Sequence, residues 1–257
     1  MGWWRRRKRR RIRQEPFPDS WRRTLSRTTP FYDRLPPEDR RELEKHVLVL
    51  LREKRFEGAG GLEMNDEVRV TIAAHASLLL LHRDTEYYPG LSSIIVYPHP
   101  YVVRQERREA GGIVREAAEA RYGELSTRGA IVLAWDAVRA VASDPSTCHN
   151  VALHEFAHQL DAEDGTVEGT PPLPAPLLAT WARVLGRDYE RLRRDTALGK
   201  ATLLGAYGAQ SPAEFFAVAS ECFFSRPEAM RRHHRELYGE LVQFYHQDPA
   251  AWPDAAR

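Results

Sequence analysis

A chain of 257 residues with 42% hydrophobic content can bury a substantial core, and its charged residues nearly cancel to a formal net charge of +2. Eight basic residues between Arg5 and Arg13 contribute +8, so the remainder carries −6, which excludes a uniformly cationic surface of the kind that coats nucleic acid. No apolar segment follows the arginines and the apolar stretch Val70 to Leu81 is too short for a bilayer, so a soluble, cytoplasmic protein without a transmembrane segment is expected.

In chain order, residues 1–14 read as a basic, disordered, solvated tail whose only expected partner is phosphate, on nucleic acid or an anionic membrane. Residues 15–257 read as one domain, helical to about 85 and carrying the chemistry from about 86 onward. Pro37 to Phe56 predicts an amphipathic helix burying Leu43, Val47, Leu50 and Leu51, stopped by Gly58-Ala59-Gly60-Gly61. Asp66 to His82 predicts a central, nearly apolar helix in which His75 is a core histidine. Ser93 to Tyr97 and Tyr101 to Arg104 read as strands separated by Pro98 and Pro100, and Ala130 to Trp135 as a third strand that offers a sheet edge to substrate. Asp144-Pro145 reads as the cap and first turn of a helix running to about 162, with Gly165 as its stop. An irregular loop over 166–176 precedes a helix around Leu177 to Ala197, Ser211-Pro212 opens another, and Pro227 to Gln247 closes the chain. Cys148 and Cys222 are too few for a disulfide scaffold and are expected as reduced, buried thiols.

The helix ending near 162 carries His154-Glu155-Phe156-Ala157-His158. Four residues of helix place the two imidazoles about 40° apart and one turn along the axis, so both can reach one ion. Glu155 stands about 100° to the side, where its carboxylate can take a proton from a water activated by that ion. Leu153, Phe156, Ala157 and Leu160 form the apolar stripe that seats this helix on the core.

A catalytic zinc takes three protein ligands, and three carboxylates compete for the third place. Asp164 has a spacing used elsewhere with a glycine at 161, where this chain has Asp161. Glu214 and Glu221 lie two turns apart on the helix opened by Ser211, among Phe215, Phe216, Val218 and Ala219, where an inward carboxylate needs a cation. Glu214 also fits a capping box with Ser211.

HEFAHQLD (154–161), followed by Tyr207 and SPAEFFAVASE (211–221), resembles the Mlc titration factor A family of bacterial zinc peptidases, whose metal site is similar to that of the anthrax lethal factor catalytic domain. The resemblance extends through FPDSW (17–21), PFYDRLP (30–36), EKRFEGAGGLEMNDEVRVTIAA (53–74) and YYPGLSSIIVYP (87–98). It implies an α+β, zincin-like metallopeptidase: a small twisted sheet, the HExxH helix, and a second helix bearing a ligand. It makes His154, His158 and Glu214 the ligands of one zinc ion per chain, Glu155 the general base, and Tyr207 a donor to the oxyanion. From its position one turn beyond His158, Asp161 either orients a ligand imidazole from behind or is a plain carboxylate on the helix surface, and Glu221 is placed behind the ligands. The implied activity is aminopeptidase-like hydrolysis of short peptides, with a regulatory role through an Mlc-like transcriptional repressor that controls sugar uptake. The alternative is a binding protein that sequesters such a regulator with little or no catalysis.

Overall fold

The computed structural model describes residues 2–108, 114–121, 123–126, 129–143 and 147–253. Helices α1 (Gly2–Ile12), α2 (Asp19–Thr28) and α3 (Pro37–Glu53) lead into strand β1 (Arg55–Gly58) and helix α4 (Asp66–Leu78). Strands β2 (Ser93–Tyr97), β3 (Tyr101–Arg108), β4 (Val114–Arg121), β5 (Gly123–Ser126) and β6 (Ala130–Ala134) follow, then α5 (Trp135–Ser143) and α6 (Val151–Asp161). Helices α7 (Ala175–Ala197), α8 (Pro212–Ser225), α9 (Pro227–His233) and α10 (Arg235–Tyr245) complete an α+β architecture.

The sheet has the order β1-β2-β6-β5, three parallel strands with β5 antiparallel at one edge, while β3 and β4 form a separate antiparallel hairpin. Strand β6 was expected to offer the edge. It lies inside the sheet instead, with Ile131 opposite Ile94 on one side and Leu125 on the other, so the edge near the HExxH helix belongs to β5. Ile131 and Leu133 are fully buried while Ala130 and Val132 are only partly so, the alternation of a strand that turns one face to the core.

Helix α4 is buried almost throughout, capped by the Asn65 side chain, which accepts from Val68 N at 3.0 Å. His75 is fully buried beside the Thr71 carbonyl, 2.9 Å from its Nδ1, as a core histidine should be. Tyr88 joins this layer to the next: its hydroxyl donates to Ala76 O at 2.7 Å and its ring lies 5.2 Å from that of Phe156 on α6. Beyond α6, the rings of Trp181, Phe216, Phe244 and Tyr245 fill the space between α7, α8 and α10. The expected closing helix breaks at His234, whose Nδ1 lies 3.2 Å from the buried carboxylate of Asp188.

Two expectations fail here. Residues 2–12 are helical, not disordered, because distant carboxylates receive the arginines: buried Arg9 donates to Glu53 and Glu86, and Arg13 to Glu42 and Tyr87 Oη. Cys148 and Cys222 are not free thiols but form a disulfide across 74 residues. The physical reason lies in where α6 begins. Asn150 caps it, accepting from Leu153 N at 3.1 Å, so Cys148 sits in the approach to the helix and meets α8. The expected cap, Asp144 with Pro145, lies outside the described residues. With the thiols paired, cysteine usage no longer argues for a reducing compartment. Among the described residues no helix is long and apolar enough to cross a membrane.

Candidate metal centre

Helices α6 and α8 pack face to face, and their contact is where the sequence placed its chemistry. All eleven residues of α6 but none of its neighbours in the following turn are buried, with Leu153, Phe156, Ala157 and Leu160 against the core and His154 and His158 turned toward α8. Ser211 begins α8 by accepting from Glu214 N at 3.1 Å, with Pro212 at the first helical position. This is half of the capping box. The Glu214 carboxylate turns to the histidines, its Oε2 lying 3.0 Å from His154 Nε2 and 3.5 Å from His158 Nε2.

The two Nε2 atoms stand 3.2 Å apart. Ligand atoms about 2.1 Å from a tetrahedral ion lie about 3.4 Å from one another, so the three atoms have the spacing of a metal triad. Glu214 Oε2 is buried and, although close to both imidazoles, satisfies the geometry of a hydrogen bond to neither. The donor set of two imidazoles and one carboxylate fits a single divalent ion.

Glu221, two turns after Glu214, is buried against the other side of His154, with Oε1 2.7 Å from Nδ1. Accepting from Nδ1–H leaves the Nε2 lone pair aimed into the triad. Its Oε2 accepts from the backbone N–H of Asn150, the cap of α6, so one carboxylate fixes both the ring and the start of the helix that carries it. Protein charges alone produce a tightly coupled cluster. Burial would lower His154, yet Glu214 and Glu221 outweigh it and raise the imidazole to about 10. Burial would raise Glu214, yet the two histidines hold it near 2. Replacing Glu221 by Ala should weaken metal affinity about 10- to 100-fold, measured by competition with a chelator. Unchanged affinity would reduce Glu221 to a partner of the helix cap.

Glu155 is buried beside the triad, and burial pushes it up to about 7 against the pull of the two histidines. Its carboxylate has no hydrogen-bond partner among the described residues, which leaves it available to water. Tyr207 lies in a single turn just before α8, 52% exposed, its ring centroid 5.7 Å from that of His154. Asp164 is exposed and binds Thr166 in a local turn, away from the triad.

Asp161 is the exception. One of its two expected roles was to hold a ligand imidazole, but its Oδ2 accepts from Gly169 N at 2.7 Å, while its Oδ1 and His158 Nδ1 both lack hydrogen-bond partners. One turn past His158, the side chain points at the loop that closes over the end of α6. Asn150 and Gly169 also brace the site, although no catalytic motif contains them. Asn150 carried a readable signal, an N-capping side chain three residues before Leu153; Gly169 carried none.

Two histidines of an HExxH helix faced by a glutamate from a second helix form a candidate metal site of the kind metallopeptidases use. The chain belongs to the glucose-regulated metallo-peptidase M90 family, whose model matches residues 2–246. It is 36% identical over 238 residues to an uncharacterized protein of Synechocystis, covering 92% of this chain and 86% of that one. It is 33% identical over 223 residues to Mlc titration factor A of Serratia proteamaculans, covering 84% of each, and 31% identical over 232 residues to that of Klebsiella pneumoniae, covering 89% and 86%.

Proposed function

We propose that this chain is a zinc-dependent peptidase of zincin type, aminopeptidase-like, with His154, His158 and Glu214 as ligands and Glu155 as general base. The observation that carries the reading is the convergence of three ligand atoms from two helices beside a buried carboxylate, Glu155, that has no hydrogen-bond partner among the described residues. Bound zinc would supply Lewis acidity toward a peptide carbonyl and would lower the pKa of a water to about 7. Glu155 takes the proton of the attacking water and delivers it to the departing amine. Tyr207 donates its phenolic hydrogen to the oxygen that becomes negative. Glu221 keeps His154 in the tautomer the ligand role requires. The β5 edge, antiparallel to β6 and next to α6, suits an extended peptide laid along it by strand addition.

The first test is metal content. The wild-type protein should bind about one zinc per chain, and Glu214→Ala should retain little, with hydrolysis of short peptides lost in parallel. Full zinc retention in Glu214→Ala would sink the ligand assignment. A second reading, suggested by relatives named Mlc titration factor A, is that the chain also binds an Mlc-like repressor and thereby influences sugar uptake. Binding of a purified repressor of that kind, present or absent, decides this independently of hydrolysis.

A further inference from the structure

The exposed face of α1 has no role in the metal centre. Arg9, Ile12 and Arg13 seat this helix on the body of the protein, through Glu53, Glu86, Glu42 and packing into the core. At 100° per residue the opposite face carries Trp3, Arg7 and Arg11 in one row, with Trp4 and Lys8 beside it. Trp3 is 63% and Trp4 73% exposed, their rings edge to face at 4.9 Å, with the Arg7 guanidinium 5.5 Å from the Trp3 ring. Among the described residues Arg7, Lys8 and Arg11 have no carboxylate partner, whereas the inward arginines do.

A helix fixed flat on the protein, with two indoles at its first turn and three uncompensated cations behind them, has the chemistry of an interfacial anchor. Indole sits well between headgroups and hydrocarbon, and cations concentrate at a negatively charged leaflet. We propose that α1 docks the protein peripherally on an anionic phospholipid bilayer. A nucleic-acid duplex would answer the cations but gives two adjacent indoles nothing apolar to enter.

Co-sedimentation of the full chain with vesicles of equal parts phosphatidylglycerol and phosphatidylcholine tests this, with pure phosphatidylcholine vesicles and a short DNA duplex as comparisons. Binding should occur only to the anionic vesicles and should fall as salt rises. Arg7→Glu, Lys8→Glu and Arg11→Glu together should weaken it at least about ten-fold. Trp3→Ala with Trp4→Ala should also weaken it about ten-fold while leaving the charge unchanged. These substitutions spare Arg9, Ile12 and Arg13, and an unchanged helical circular-dichroism spectrum checks that the fold is intact. Absence of binding to anionic vesicles, indifference to the tryptophan pair, or tighter binding to the duplex than to vesicles would each overturn the proposal.

Discussion

Glu155→Gln should bind zinc like the wild-type protein and yet hydrolyse peptides about 10²- to 10⁴-fold more slowly. The amide is nearly the shape of the carboxylate but cannot take a proton from water. Among the described residues the buried side chain has no hydrogen-bond partner, so the exchange breaks no hydrogen bond there. Nor is its side chain part of the triad, so the metal should stay. Release of a chromogenic amine from amino-acyl anilides, read beside zinc content, separates the two effects. Hydrolysis at the wild-type rate would end the proposed mechanism, whereas loss of zinc would mean that Glu155 helps to hold the ion. In the same protein, undiminished binding of an Mlc-like repressor would show that recognition and hydrolysis are separable.

The largest effect on stability should come from a position with no side chain. Gly169 adopts φ +77°, and a Cβ there would stand 2.3 Å from Pro212 O and 2.5 Å from Pro212 C. Its N–H donates to Asp161 Oδ2 and its carbonyl accepts from Trp181 Nε1 at 3.4 Å. The loop thus wedges between the end of α6 and the first residue of α8, two residues from Glu214. Gly169→Ala should cost about 2–5 kcal/mol, combining left-handed backbone strain with displacement of packed backbone, and should also weaken metal binding. Gly165→Ala is the control. It has φ +92° but open space around a Cβ, so only strain of about 1–2 kcal/mol remains. Denaturant unfolding measures both, and equal costs would refute the wedge.

What could be read from sequence was what one helix contains. The two histidines and Glu155 needed only the helical repeat, and their geometry followed from spacing alone. Glu214 did not yield to spacing, because a capping box and a metal ligand look alike until the partner helix is in place; the family resemblance chose between them. Contacts between distant segments stayed hidden for the same reason. An arginine run reads as solvated unless Glu42, Glu53 and Glu86, up to 77 residues away, are known to face it. The disulfide stayed hidden because two cysteines read as too few for a scaffold, and nothing local in either segment shows that the approach to α6 and the body of α8 meet across 74 residues. Asp161 was assigned by its line along the helix, which says nothing of the loop that returns to meet it.

That disulfide also bears on which ion the site can hold. Cys222 follows Glu221 directly, and Cys148 lies two residues before Asn150, so both sulfurs stand next to the groups that brace His154. Thiolates are soft donors that capture copper(I) and compete strongly for zinc. Locked together, the two sulfurs offer no thiolate to an ion between α6 and α8, so the candidate donors there are the imidazoles and the carboxylate of the triad.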